Sequence, residues 1–238
     1  MNMLLKIKEF DAHGGPVNVK MGGDGHSQTS TTVGRFVIKS IEKHVSYGKY
    51  AAWSGIAWGT EVKITGDIVM VKYNGVWKKL TDVNAQWGQY KNDQKGVTNA
   101  VLKYQRELYP NSPIPTKWLF NDFGHVSVKY FKDVNLDRKM NGKEYVMGDF
   151  IHTTPTDEAA TARRKIFQLG ESHGCIHVKP NDIDTMIGNG YLKKGNTVEV
   201  HPYTKKAIDS SLKRNAAGLP FEVHFYPGLY KIAIYKSI

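Results

Sequence analysis

Cysteine is all but missing from this chain: Cys175 is the only one in 238 residues. A single thiol excludes an intramolecular disulfide and any multi-cysteine metal site, so stability has to come from packing. Acidic residues are also scarce, 22 Asp+Glu against 33 Lys+Arg, and the net charge of +11 favours polyanions: nucleic acid, anionic lipid, or wall polymers bearing carboxylates and phosphates. Zinc-finger spacing and an aromatic RNP-like signature are absent, and the positives are scattered in pairs, which speaks against nucleic acid as a partner. No apolar run approaches the length of a membrane span. The opening Met1-Asn-Met-Leu-Leu-Lys-Ile-Lys-Glu9 reaches a charge after five residues and has no small-residue cleavage site, so it does not read as a signal peptide.

What is present points to a globular protein. Hydrophobic residues make up 40% of the chain and aromatics 11%, enough to build a core. Alternating apolar residues predict strands at Leu4–Phe10 and Arg35–Lys39, joined by a Gly- and Ser/Thr-rich stretch from Gly14 to Gly34. A hairpin is expected where Glu61–Ile64 and Asp67–Tyr73 flank Thr65-Gly66, with Asn74-Gly75 turning the chain into Val76–Leu80. Val97, Val101, Tyr104 and Leu108 recur at helical spacing before Pro110. Strands are expected at Tyr145–His152, Thr197–His201, Glu222–Tyr226 and Tyr230–Tyr235, and a short helix starting near Pro180. The fold class predicted is mainly β: an antiparallel β-sandwich or barrel formed by residues 1–39 and 144–238, with residues 40–143 as a mixed α/β insertion.

The chemistry concentrates at Gly170-Glu-Ser-His-Gly-Cys-Ile-His177. An isolated cysteine is most often a small core hydrophobe, but this one has polar neighbours on both sides. A working thiol needs a base, a group to orient the base, and donors for the oxyanion formed when a carbonyl is attacked. If the stretch is extended, His173, Cys175 and His177 point to one face, and the N–H groups of Gly174 and Cys175 are candidates for an oxyanion hole. Three alternating ligands on one strand would crowd a zinc ion, so a metal site here is the weaker reading.

Ser172-His173-Gly174-Cys175-Ile176 resembles the Ser/Thr-His-Gly-Cys core of the L,D-transpeptidase catalytic domain, the YkuD type. Asp149-Phe-Ile-His152-Thr-Thr-Pro155 resembles that family's upstream histidine element, and Thr29–Ile38 its strand entry. Asn181–Met186 with Lys194–Val200 resembles the helix and strand that follow the cysteine. The resemblance implies Cys175 as nucleophile, His152 as base, His173 and Ser172 shaping the site, and the Gly174 and Cys175 amides holding the oxyanion. It implies peptidoglycan tetrapeptide stems as substrate, cleaved after a diamino acid through a thioester that an amine or water resolves, with no cofactor. The 19 residues between His152 and Ser172 exceed the family's spacing and predict a longer loop bearing Arg163, Arg164 and Lys165. Arg163 and Arg164 read most cheaply as a solvated face and otherwise as carboxylate-capturing groups. His177 stands where the family has Arg or Asn, at a position tied to substrate binding.

Other readings stay open. Asp133, Asn135, Asp137, Asn141 and Glu144 match most positions of a calcium loop, but Arg138 replaces its turn glycine, so a plain Asp/Asn-rich turn is preferred. The five tryptophans, Trp53 to Trp118, all lie in the insertion, where core packing is expected first and sugar stacking second. The alternative to an enzyme is a catalytically idle wall-binding module on the same fold. The expected site of action is the periplasm or cell wall, reached by a chain trimmed of its signal or by a secretion machine that reads none. The latter case implies an antibacterial effector with an immunity protein as partner.

Overall fold

Apolar alternation near the start builds a long strand and, after a polar excursion, a second one. The chain is described here from a computed structural model covering residues 2–214 and 219–238. It divides into two units, Met1–Glu42 with Ser127–His152 and Phe167–Ile238, and Lys43–Val126 with Thr153–Ile166. The first unit opens with β1 (Asn2–His13), β2 (Lys20–Met21), β3 (Ser27–Gln28) and β4 (Gly34–Glu42). The second contributes α1 (Ala51–Ser54), β5 (Val62–Thr65), β6 (Ile68–Tyr73), β7 (Val76–Lys79), α2 (Leu80–Val83), α3 (Ala85–Gly88) and α4 (Gln94–Leu108). Then come β8 (Ser127–Phe131) and β9 (Ile151–His152) of the first unit, and α5 (Pro155–Ala162) of the second. The first unit ends with β10 (Ile176–Val178), α6 (Pro180–Gly188), β11 (Thr197–Val200), β12 (Ser211–Arg214), β13 (Phe221–Tyr226) and β14 (Lys231–Ser237).

The large sheet of the first unit runs β10-β9-β8-β4-β11-β13-β14-β1-β12, and the end of β1 pairs again with β10 through Ala12↔Val178 and His13↔His177. The ladder therefore closes on itself. Phe36, Ile38, Val128, Ile151, Ile176, Val178, Val198, Val223 and Phe225 are buried along its inner face. Tyr226 and Tyr235 of β13 and β14 pack on the opposite face with Leu4 and Ala233, so these two strands are covered on both sides. β9 pairs with β10, and β11 with β13, in parallel. The molecule is thus mixed α/β with more strand than helix, and its large sheet is mixed, two parallel pairs standing in an arrangement expected to be antiparallel. Alternation reports only which face is buried, whereas parallel pairing follows from crossover connections that no local pattern marks.

In the second unit the Asn74-Gly75 turn falls where predicted, both residues at positive φ, the twist a two-residue loop needs, while the first turn sits one residue later than expected, at Gly66-Asp67. Helix α4 is capped by the Asp93 side chain on the Gly96 N–H and buries Val97, Val101 and Leu108. They join a core with Val69, Val71, Leu80, Trp87 and Trp118. Trp118 is fully buried, its indole N–H donating to the Trp53 carbonyl, so core packing holds for these rings.

Two boundaries differ from the expectation. The excursion 40–143 ends earlier, because Ser127–Phe131 pairs with β4 inside the large sheet, and residues 153–166 join the second unit. The strand expected over Tyr145–His152 shrinks to β9, with Val146 making an isolated bridge to Phe131. The Asp149 carboxylate, which accepts the Thr32 N–H at 2.8 Å, holds the intervening residues in a loop. No helix among the described residues is long and apolar enough to cross a membrane.

Candidate active site

Ser172 shapes the bend that presents the cysteine. Its hydroxyl donates to the Cys175 carbonyl at 2.5 Å and accepts the Gly174 N–H at 3.1 Å, while its own N–H donates to the Gly14 carbonyl. Gly174 has φ +128°, and a Cβ there would stand 2.9 Å from Asp149 Oδ1 and 3.0 Å from Thr29 Oγ1, so glycine is required on both counts. The stretch is not extended at Gly174, yet burial still alternates through it: Ser172, Gly174, Ile176 and Val178 are buried while His173, Cys175, His177 and Lys179 are half-buried. The His173 carbonyl accepts the Thr29 hydroxyl at 3.0 Å and its ring pairs with Asp24 at 3.1 Å.

The Cys175 sulfur accepts the Phe150 N–H at 3.4 Å and lies 3.9 Å from the Gly148 carbonyl. His152 and His177 pair across β9 and β10, with ring centroids 4.9 Å apart. Cys175 and His152 are then diagonal neighbours on one face, about 8 Å apart at Cα from strand spacing and rise. His152 is buried. His177 Nδ1 donates to the Gly170 carbonyl at 3.0 Å; a carbonyl only accepts, so this nitrogen carries the proton and Nε2 holds a lone pair. Burial, reinforced by His13 and His173, pushes His177 down to about 4 against the Gly170 hydrogen bond, leaving the ring neutral at pH 7.

Although Cys175 is only half-buried and keeps a path to solvent, the protein packed around it pushes the thiol up to about 12. The Phe150 amide opposes this and the Asp149 carboxylate adds to it. The resting sulfur is therefore a thiol, and attack requires a base that removes the proton as the bond forms. Of the two amides expected to hold an oxyanion, the Gly174 N–H is committed to Ser172. The Cys175 N–H has no acceptor among the described residues.

Gly15 and Tyr203 are the site residues that sequence reasoning passed over, and Asp149 was named there only as the start of the histidine element, with no role. The Tyr203 hydroxyl donates to the Gly15 carbonyl at 2.7 Å and accepts the Thr31 N–H at 3.0 Å, lacing together the loops that back the bend. A Cβ on Gly15 would meet the Thr29 carbonyl oxygen at 1.8 Å. The doublet Gly14-Gly15 was the one available signal. Arg163 and Arg164 fold with the second unit at the end of α5, where the Arg163 Nε donates to the Ala159 carbonyl.

Two clusters among the described residues have metal-ligand types close together: Glu199, His201 and His224, and Asp133, Asp137 and Glu144. In the first, His201 Nε2 and His224 Nδ1 lie 3.1 Å apart, His224 Nε2 faces Glu222, and Arg35 pairs with Glu199 and Glu222. Burial works against the Glu222 charge, but His224 and Arg35 hold its carboxyl down to about 2, the signature of a satisfied ion network. In the second, the carboxylates turn onto the loop's own amides, Glu144 taking those of Val134 and Asn141. A strand, β8, precedes this loop where a calcium-binding loop has a helix. No protein-family model, curated protein or solved structure matches the chain.

Proposed function

We propose that the protein is a cysteine acyltransferase of the L,D-transpeptidase type, acting on peptidoglycan tetrapeptide stems in the periplasm or cell wall. The observation that carries the reading is the Cys175 thiol immediately before β10, its sulfur held by the Phe150 amide, diagonal to His152 and beside an uncommitted Cys175 N–H. The closed, strand-rich sheet of the first unit supports the same assignment to a transpeptidase-type β-sandwich.

In the first step His152 takes the thiol proton while the sulfur attacks the carbonyl joining the diamino acid to the terminal D-Ala. The Cys175 N–H receives the oxyanion. Collapse breaks the C–N bond, the imidazolium returns its proton to the departing amine, and a thioester remains. An amine from a second stem, a free D-amino acid or water then attacks the thioester, with His152 again taking and returning the proton. The neutral His177 ring packs edge-on against His152 and fixes its orientation. The net charge of +11 draws the enzyme to an anionic wall.

The test is intact-protein mass spectrometry on wild type and Cys175→Ala after incubation with disaccharide-tetrapeptide, with and without a D-amino acid. Acyl-enzyme and loss or exchange of terminal D-Ala with wild type alone are expected. The high thiol pKa favours one other reading, a wall-binding module with an inert cysteine; binding without product from either protein would establish it.

A further inference from the structure

The face that carries Cys175 continues past the histidines into a cleft of about 390 Å³. Along β10 and the residues that flank it, Cys175, His177 and Lys179 are half-buried in turn, and along β1 the neighbours are His13 and Asp11. Across the next strand Lys231 is paired with Asp11. The Asp11 carboxylate accepts from Lys179 at 2.8 Å through one oxygen and from Lys231 at 2.6 Å through the other. Phe167, Leu169 and Tyr230 line the same cleft. The segment bearing Phe167 and Leu169 leads directly into Gly170, whose carbonyl takes the His177 ring proton.

Among the groups that line the cleft two ammoniums meet one carboxylate, a local excess of positive charge; Asp182, which also acts on Lys179, is not part of that lining. Each ammonium has three donors, and Asp11 uses one from each. The remaining donors suit a second carboxylate, which would bridge the two lysines from the side opposite Asp11. Lys179 lies four residues beyond Cys175, roughly 13 Å along an extended strand. A ligand whose carbonyl carbon sits at the sulfur and whose carboxylate is about six bonds away covers roughly 7–8 Å of that span. A lysine side chain is long enough to span the rest, about 5 Å, and the apolar wall takes the ligand's methylenes.

We propose that this cleft is the subsite for a second carboxylate of the acyl-donor stem, bound by Lys179 and Lys231 and positioned by Asp11. The inference rests on reading Cys175 as the nucleophile for a stem peptide. Two stem groups share the required chemistry: the carboxylate on the side chain of the diamino acid, and that of the acidic residue preceding it.

The test is calorimetric binding to Cys175→Ala, which needs no turnover, using three tetrapeptide stems: unmodified, amidated on the diamino-acid side chain, and amidated on the preceding acidic residue. Amidation at one of the two positions is expected to weaken binding about tenfold, the loss of one charge-assisted contact, and to identify the source. Lys179→Met and Lys231→Met keep the stem packing and remove the charge. Each is expected to weaken the unmodified stem by a similar factor while making amidation at that position neutral. Lysine variants that bind all three stems as the parent does, or that weaken all three equally, overturn the subsite, as does a parent that binds none. Wild-type turnover of the unmodified stem is measured separately: turnover with indifferent lysines removes the subsite alone, and no turnover removes the nucleophile reading.

Discussion

The state of the Cys175 thiol yields the sharpest prediction. Pushed up from 9.0 to about 12, the group has about a thousandfold less thiolate at pH 7 than the same cysteine in unfolded chain. Each thiolate is more nucleophilic, and a Brønsted slope of about 0.4–0.5 returns roughly twentyfold of that loss. Alkylation by iodoacetamide is therefore expected to run about fiftyfold slower in the folded protein than in denaturant. The assay follows the mass shift over time from pH 5 to 10, where the log rate should rise with unit slope and no plateau. A plateau between pH 5 and 8 would mean a preformed thiolate–imidazolium pair, and the argument that His152 removes the proton during attack would be wrong. Reactivity equal to the denatured control would show that the packing around the sulfur does not oppose its charge.

Four further outcomes follow from the same geometry. His152→Ala should lower acyl-enzyme formation by a factor of about 10²–10⁴, the range of a lost general base, without lowering the melting temperature by more than a few degrees. Gly174→Ala should cost about 1–3 kcal/mol in denaturant unfolding and abolish acylation, since the new methyl meets Asp149 at a φ of +128°. His177 titrates near 4 when folded and at 6.5 when free. The unfolded chain therefore binds more protons between these values, and stability falls as pH drops from 6.5 to 4, by at most about 3 kcal/mol. Melts of His177→Asn, compared with wild type across that window, should be flatter. Tyr203→Phe removes two hydrogen bonds that join the loops behind the bend; it should cost about 1–2 kcal/mol in urea unfolding and reduce acylation.

Local signals carried much of the fold. Strand alternation over β1, β4, β13 and β14, the Asn74-Gly75 turn and the period of α4 all depend on residues close in sequence, and each appears where that pattern put it. Pairing partners are a different matter. The closure of β1 onto β10 joins residues more than 160 positions apart, and nothing in either segment names the other. The domain boundary was displaced for a related reason: β8 reads as a strand, but only its ladder with β4 assigns it to the first unit. The segment around Cys175 was legible as a candidate site because its residues stand side by side, but its bend was not, since that depends on how Ser172 bonds to Gly174 and Cys175. Nor were the roles of Asp149 and Tyr203, since they act on Thr32 and Gly15, 117 and 188 positions away.

Burial is the main reason that a cysteine in an otherwise well-formed nucleophile bend is this hard to ionise, and one distant contact adds to it. The Asp149 carboxylate that fixes Thr32 and stands close to Gly174 also opposes a negative sulfur, so the group that builds the bend contributes to the raised thiol pKa. Removing it should separate the two effects. Asp149→Asn keeps an oxygen for the Thr32 N–H and loses the charge, so Cys175 alkylation should speed up while the fold is retained. Asp149→Ala loses both, and should loosen the bend as well as release the thiol. If acylation of stem peptide falls in Asp149→Asn even as alkylation rises, the charge itself serves the reaction, by keeping the proton on sulfur until His152 takes it. If both rise together, Asp149 acts on the bend alone, and its charge is a cost of that construction.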